Sequence, residues 1–193
     1  MTGNTATSSR IIGRTPGFLL AGFLMLFVLC APPAQAVGAS VKPREMMALL
    51  VTKFPKYATW PKRRSSSEPM VLCLVTQDRK LRSTIVGLLD GKTHTGRKWK
   101  VMTHSNLDDA KDCALVFIGK DLPEPDTAWY ERMSDAGVLT FGEKEPRKDR
   151  TSIINFILVG KKMRFDLNLA SAEKAGIKIN SRLADVANKV IKR

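Results

Sequence analysis

Two uninterrupted apolar runs and one alternating segment give the strongest signals along the chain. The runs Met70 to Val75 and Ala114 to Ile118 are typical of strands that are covered on both faces of a sheet. Ile153 to Val159 and Lys162 to Asn168 flank a Gly-Lys pair and predict a β-hairpin. Apolar and polar residues alternate in the second of these strands, so we expect it to have one buried side and one wet side.

Helical spacing of the apolar positions accounts for most of the remaining chain. It predicts three longer helices, Val41 to Trp60, Leu81 to Leu89 and Pro123 to Ala136. Pro55 should kink or end the first of them near Phe54. Weaker patterns predict two short strands, Trp99 to Met102 and Val138 to Phe141, and two short helices, Asn106 to Lys111 and Leu169 to Ala175. They also predict a final helix, Arg182 to Ile191, and the last two helices have Asn168 and Ser181 as their predicted N-caps.

This order of elements predicts an α/β fold. Repeated strand–helix–strand units place parallel strands in one sheet and helices on both of its faces, with right-handed connections. We therefore expect a single three-layer domain with a mostly parallel central sheet and a C-terminal β-hairpin. The motifs below must fit within that one domain.

The first 36 residues predict a cleaved secretory signal peptide. Arg10 and Arg14 precede a 14-residue apolar run, and a small-x-small sequence ends at Ala36. We expect cleavage after Ala36, which leaves residues 37–193 as the exported domain. A retained membrane anchor is the alternative, but the run is shorter than the roughly 20 residues that a spanning helix needs. Lipoprotein cleavage before Cys30 is disfavoured because Leu29 is too large for the preceding position.

Removal of the signal peptide leaves a strongly basic protein. It takes away two arginines and no acidic residue, so 30 basic and 18 acidic residues remain and the formal net charge falls from +14 to +12. An exported protein rarely meets nucleic acid, so we expect no nucleic-acid partner. Anionic lipid, a cell-wall polymer or an acidic protein surface fit the charge better. The alternative is a charge that is spread over a solvated surface.

Two cysteines, Cys73 and Cys113, remain in the exported chain. An even number of cysteines in an oxidising compartment favours a disulfide, and two separate buried thiols are the alternative. The chain has no C-x-x-C motif, so thiol–disulfide catalysis has no support.

Sequence motifs for catalysis or cofactor binding are also missing. The chain contains no G-x-G-x-x-G, no G-x-x-x-x-G-K-[ST] and no G-x-S-x-G. Gly119 follows an apolar run alone and indicates a turn. We therefore expect no enzyme activity, assign no catalytic, cofactor-binding or metal-ligating residue, and expect no cofactor.

The polar residues that could build a site have simpler explanations. We predict that both histidines lie on the surface and that one acidic cluster forms a solvated face; these residues are His94, His104, Asp108, Asp109 and Asp112. Four hairpin residues could line a pocket, but cross-strand pairing on an outer face is the simpler explanation; they are Asn155, Arg164, Asp166 and Asn168.

Three ordered groups of motifs stand out. The first is Phe54-x-x-Tyr57-x-x-Trp60-Pro61, and the second pairs Met70 to Asp78 with Asp112 to Ile118. The third comprises Ile154-Asn155-Phe156, Met163 to Asn168 and Ala175 to Leu183. In order and spacing they resemble the YfiR family of exported bacterial regulators over nearly the whole exported chain. One departure is Thr151-Ser152, where family members often have Gly-Gly.

This resemblance implies a central sheet of about six strands and a disulfide between Cys73 and Cys113. It also implies a periplasmic protein, commonly a dimer, that binds the periplasmic sensor part of a membrane diguanylate cyclase. Binding holds the cyclase inactive, which lowers cyclic-di-GMP and biofilm formation, and an outer-membrane lipoprotein can draw the regulator away. The resemblance does not indicate the partner-binding residues.

A periplasmic small-ligand sensor is the alternative function. Such a protein would use a crevice at the carboxyl ends of its parallel strands. An enclosed pocket with convergent polar groups would favour the sensor, whereas a contiguous apolar patch with a polar rim would favour the regulator.

Overall fold

The computed structural model describes residues 42–61, 69–94, 96–110, 112–143 and 151–192. The predicted signal peptide, its cleavage after Ala36 and Cys30 lie outside the described residues. Five helices are described: α1 Pro43–Lys53, α2 Arg79–Leu89, α3 Thr127–Asp135, α4 Leu169–Lys174 and α5 Ser181–Asp185. The strands are β1 Ala58–Thr59, β2 Met70–Val75, β3 Thr93–His94, β4 Arg97–His104, β5 Leu115–Ile118, β6 Leu139–Gly142, β7 Ile154–Val159, β8 Lys162–Asn168, β9 Lys178–Ile179 and β10 Lys189–Ile191.

The central sheet has eight strands in the order β10-β8-β7-β6-β5-β2-β4-β3. Neighbouring strands are parallel except for β7 with β8 and β3 with β4. Strands β1 and β9 form a separate antiparallel pair. The predicted α/β class, the mostly parallel sheet and the hairpin are confirmed, and the short edge strands β3 and β10 extend the expected sheet of about six strands.

The two faces of the sheet are covered by different helices, which confirms the three layers. Side chains alternate along β2, so Leu72 and Leu74 face α1 and α2, whereas Cys73 and Val75 face α3. The buried face of α2 follows the predicted helical spacing with Leu81, Ile85 and Leu89. Trp129 and Met133 are the buried residues of α3. Both apolar runs are therefore central strands covered on two sides.

An aromatic cluster lies under the end of α1. Phe54 packs edge-on against Phe165, with ring centroids 4.7 Å apart, and stacks on Phe156 and Phe141. Phe54 begins a 3-10 turn, Phe54–Tyr57, directly after α1 ends at Lys53. The helix therefore stops near Phe54 as predicted, because Pro55 cannot continue the α-helical hydrogen bonding.

Helix boundaries differ from the predicted ones where capping residues are stronger than the apolar pattern. Helix α3 begins after Asp126, whose carboxylate accepts a hydrogen bond from the Trp129 amide at 2.7 Å. The prolines at 123 and 125 stay outside it. Where a short helix was predicted, the described residues form a 3-10 turn, Asp108–Ala110. Strand β4 extends beyond its predicted bounds at both ends.

The predicted final helix is wrong beyond Asp185. Asn180, not Ser181, caps α5 through its side chain, and α5 ends at Asp185. Lys189–Ile191 then forms β10 and pairs in parallel with Asp166–Asn168 of β8. The exposed edge of β8 offers these residues hydrogen-bond partners, and a short helix with a weak apolar face gains less than that pairing.

The predicted wet side of β8 is also wrong over its second half. Asp166 and Asn168 are buried, whereas Arg164 is exposed. Strand β10 covers this edge, and the Asn188 side-chain amide donates to Asp166 at 2.8 Å. Asn168 caps α4, as predicted, by accepting a hydrogen bond from the Ser171 amide at 2.9 Å. Both polar side chains are buried because each has a partner there.

Candidate functional site

The carboxyl ends of the parallel strands meet at one edge of the sheet. Strand β2 lies between β4 and β5, so the chain crosses from β2 to one side and later returns to its other side. A crevice usually forms where crossovers diverge in this way. A pocket of about 430 Å³ lies at this edge, beside the ends of β2, β5 and β6.

The pocket combines exposed basic side chains with buried apolar ones. Its basic rim consists of the exposed residues Lys42, Arg44, Lys80 and Lys120. The buried apolar residues that line it are Met47, Leu81 and Phe156. Two acidic residues, Glu45 and Glu143, also line the pocket. The lining therefore has more positive than negative charge next to an apolar surface.

An ion pair joins the first turns of α1 and α2 at the pocket. Arg44 in α1 contacts the carboxylate of Asp78. The same carboxylate caps α2 by accepting a hydrogen bond from the Leu81 amide at 3.1 Å. One acidic side chain thus fixes both helix ends, which holds the backbone of two rim-bearing segments in place.

The turn after β5 packs closely against the end of β2. The Thr76 hydroxyl donates to Asp121 at 2.6 Å, and the Gln77 amide donates to the second oxygen of the same carboxylate at 2.5 Å. A Cβ atom at Gly119 would lie 2.3 Å from Thr76 Oγ1 and 2.4 Å from Asp121 Oδ1. Glycine is therefore needed here for close approach, which refines the turn predicted at this position.

Two carboxyl groups beside the pocket titrate differently from free side chains. Burial alone would raise the pKa of Asp121, but the hydrogen bonds from Thr76 and Gln77 outweigh it, so this pKa is lowered from 3.8. For Glu143 burial prevails and raises the pKa from 4.5, although the Lys120 amide donates to this carboxylate at 3.2 Å. The protein environment therefore favours the charged form of Asp121 and the neutral form of Glu143.

The outer half of the β7–β8 hairpin extends beyond the strand next to it. Strand β6 pairs with β7 only at Ile154 and Asn155. Beyond that point the paired residues of the hairpin are 156–159 and 162–165, and we call this part the arm. Among the described residues, β8 is the only strand that pairs with the outer half of β7. Leu158 and Val159 near the tip are 58% and 50% exposed.

Cys73 and Cys113 are bonded to each other on the α3 face, and their Cα atoms lie 5.9 Å apart. The bond joins β2 to the loop that enters β5. A ring nitrogen of His104 and the two sulfurs all lie within 4.8 Å of one another. The bonded sulfurs are not thiolates, so this group is a disulfide beside a partly buried imidazole rather than a set of metal ligands.

The remaining candidate polar residues do not converge on one site. His94 is partly buried, with Nε2 3.4 Å from the Leu88 carbonyl oxygen. Asp108 and Asp112 are exposed, as predicted. Asn155 is buried and donates to Thr151 Oγ1 at 2.8 Å and to the Ser152 carbonyl at 2.7 Å. Thr151 and Ser152 thus satisfy a buried side-chain amide.

The sequence interpretation missed the basic rim and the surroundings of His104. The positions of Lys80 and Lys120 in the sequence could have revealed the rim. Each lysine follows an apolar strand by a few residues, and the ends of parallel strands meet at one edge of the sheet. The signal for His104 required the strand register. Cys73 pairs with Met102 and Val75 with His104, so these four side chains share one face.

Comparison with known proteins gives one family match. A family model described as YfiR/HmsC-like matches residues 44–188. No curated protein matches the chain. No helix within the described ranges is both long and apolar enough to cross a membrane.

Two solved structures are similar at low identity. One is a conserved domain protein from Vibrio cholerae O1 biovar eltor, with 13% identity and a TM-score of 0.49 over 77% of this chain and 60% of that chain. The other is an ABC domain in complex with L-Trp from Streptococcus pneumonia, with 9% identity and a TM-score of 0.46 over 78% of this chain and 62% of that chain. This chain therefore covers about three fifths of each solved chain.

Proposed function

The chain belongs to the YfiR/HmsC-like family, and on this basis we propose that it is an exported regulator that represses a membrane diguanylate cyclase. The family match carries the proposal, because residues 44–188 include all five helices except the first residue of α1. The regulator binds the periplasmic sensor part of the cyclase and holds it inactive. Cyclic-di-GMP and biofilm formation then fall, and an outer-membrane lipoprotein relieves the repression.

Repression of this kind is a shift between two states of the cyclase. To move a cyclase from almost entirely active to almost entirely inactive, the regulator must bind the inactive state on the order of 10⁴-fold more tightly. A regulator of this kind acts by binding, so its action rests on shape and charge.

Gene deletion with complementation tests the regulator proposal. Loss of the gene should raise cyclic-di-GMP and surface attachment, and the full chain should restore both to their original levels. A variant that lacks residues 2–36 should accumulate in the cytoplasm and fail to restore them. Unchanged cyclic-di-GMP in the deletion strain would contradict the proposal, as would rescue by the cytoplasmic variant.

Export and disulfide formation make a second proposal that can be tested on the purified protein. We propose that cleavage after Ala36 releases the domain into the periplasm and that Cys73 and Cys113 are bonded there. The protein should begin at Val37 and show no free thiol after denaturation without reductant. A retained Met1, or two reactive thiols, would refute the corresponding part.

The pocket favours a second candidate function, a small-ligand sensor. Its basic rim beside buried apolar residues fits an organic anion with an apolar part. Octanoate is a suitable probe, with octanol as the uncharged control. Octanoate should raise the Tm, and the variant K80A/K120A should lose the effect while K98A/K100A, on the far side of the sheet, keeps it. Equal responses to octanoate and octanol would argue against the sensor.

A further inference from the structure

The tip of the arm exposes apolar side chains on a supported projection. Phe156 and Phe165 pair across the strands and are 2% and 6% exposed, so the base of the arm is fixed in the aromatic cluster. Towards the tip, Leu158 pairs with Met163 and Val159 with Lys162. Gly160, at a φ of 60°, makes the tight turn between the strands. A buried base thus holds two exposed apolar side chains outwards.

The arm is basic as well as apolar. Residues 156–165 read FILVGKKMRF and contain no acidic residue. Lys161, Lys162 and Arg164 are all exposed. Leu158 also lines the pocket, so the basic rim lies at the same end of the molecule. Three nearby carboxylates already have partners within the protein: Asp78 contacts Arg44, Asp121 accepts hydrogen bonds from Thr76 and Gln77, and Glu143 accepts one from the Lys120 amide. Glu45 also lines the pocket, but the basic rim residues outnumber the acidic ones there.

This combination fits the surface of an anionic bilayer better than that of a protein. A stable protein interface usually needs about 800 Å² from each partner, with a well-packed centre. Two side chains at a projecting tip offer little of such a centre, whereas a bilayer accepts a projecting apolar wedge at the headgroup boundary. Lysines around the wedge attract anionic headgroups and can extend towards them.

We propose that the arm is a membrane-docking element for phospholipid bilayers with anionic headgroups. Leu158 and Val159 enter the interface, and Lys161, Lys162 and the basic rim contact the headgroups. This inference goes beyond repression of a cyclase and does not depend on it. Membrane docking would keep the exported domain next to membrane proteins and so raise its local concentration there.

Vesicle co-sedimentation of the purified exported domain tests the proposal. The protein should bind mixed phosphatidylglycerol–phosphatidylcholine vesicles and show little binding to pure phosphatidylcholine. Added salt should weaken the binding because it screens the exposed charges. No binding to the anionic vesicles, or equal binding to both kinds of vesicle, would overturn the proposal.

Matched variants locate the contact. L158S/V159S should weaken binding by about tenfold or more, because each side chain loses apolar burial in the interface. Its control is V186S, which removes a 61% exposed apolar side chain from the turn after α5. K161E/K162E should weaken binding on the order of a hundredfold, since each lysine near an anionic surface contributes appreciably. Its control is K98E/K100E, which makes the same charge change on β4.

Two results would contradict the proposal that the arm makes the membrane contact. If K98E/K100E lost as much binding as K161E/K162E, the attraction would come from the spread charge of the whole protein. If the protein formed a dimer in solution that L158S/V159S dissociated, a second copy would cover the tip. All the substituted side chains are exposed, so we expect each variant to fold, and thermal unfolding checks that it does. Loss of membrane docking with intact cyclase repression would separate this proposal from the proposed function.

Discussion

The two faces of the central sheet are stabilised in different ways. The face under α1 and α2 has the larger buried cluster, with several phenylalanine rings in mutual contact. The face under α3 has a smaller cluster, and that cluster contains the disulfide. Apolar burial therefore holds one face, whereas a covalent link supports the face that has less apolar surface to bury.

The largest expected effect is on the aromatic face. Phe54→Ala removes a ring that contacts three other rings, so we expect a loss of about 3–5 kcal/mol in the free energy of unfolding. Leu49→Ala, on the exposed side of α1, is the control and should cost far less. Urea unfolding measures both. A Phe54→Ala loss no larger than that of the control would show that the cluster is not the main support of this face.

The next largest effect is on the disulfide face. Replacing both Cys73 and Cys113 by alanine releases a loop of sequence separation 40, and the chain-entropy estimate puts the loss at roughly 4 kcal/mol or less. The phenylalanine rings and the disulfide belong to separate buried clusters on opposite faces of the sheet. The two losses in the free energy of unfolding should therefore add. Clear non-additivity in the triple variant would mean that the faces are coupled. Reductant should destabilise the wild type and leave the cysteine-free variant unaffected.

A smaller loss of stability is expected at Gly119, in the turn that follows β5 at the edge of the sheet that bears the pocket. Gly119→Ala places a methyl group against Thr76 and Asp121, and such overpacking costs about 1–3 kcal/mol. Gly87→Ala is the matched control, because its added Cβ meets no atom within 4 Å and it lies inside α2. That change should stabilise the protein slightly. Equal Tm values for both variants would contradict the close packing at Gly119.

The smallest effect should appear as a change in pH dependence. The raised pKa of Glu143 gives stability that is present below pH 4.5 and is lost as the pH rises through the folded-state pKa. Glu143→Gln removes this loss, so the variant should gain stability relative to the wild type between acid and neutral pH. Unfolding curves over that range measure the difference. A constant difference would indicate that Glu143 titrates normally.

Asp121 provides the opposite control. Its lowered pKa gives stability that is present above pH 3.8 and is lost as the pH falls through the folded-state pKa. Asp121→Asn should therefore be less stable than the wild type at neutral pH, and the deficit should shrink in acid. A deficit that stays the same at every pH would come from lost packing or hydrogen bonding alone.

The sequence was sufficient wherever the local pattern and the surroundings agreed. The apolar run of β2 has the bounds that were predicted, and the two hairpin strands differ by a single residue. Asn168 caps α4 as expected. These elements were predictable because their signals, which are long apolar runs, a turn pair and a capping side chain, act within a few residues.

The candidate site was less predictable because its parts come from distant segments. Arg44 meets Asp78 across two helices, and Lys120 donates to Glu143 across two strand ends. Only the strand order brings these segments to one edge. The position of residues directly after parallel strands was the one local signal that pointed to them.

The sequence by itself determined the alternation of strands and helices, the hairpin, the family motifs and the strongly basic charge. Tertiary structure alone decided that Lys189–Ile191 is a strand, that Asp166 is buried and that Leu158 is exposed. The physical reason is the same in each case. Burial and pairing depend on which neighbour is present, and here β10 covers the base of the hairpin while β6 ends before its tip.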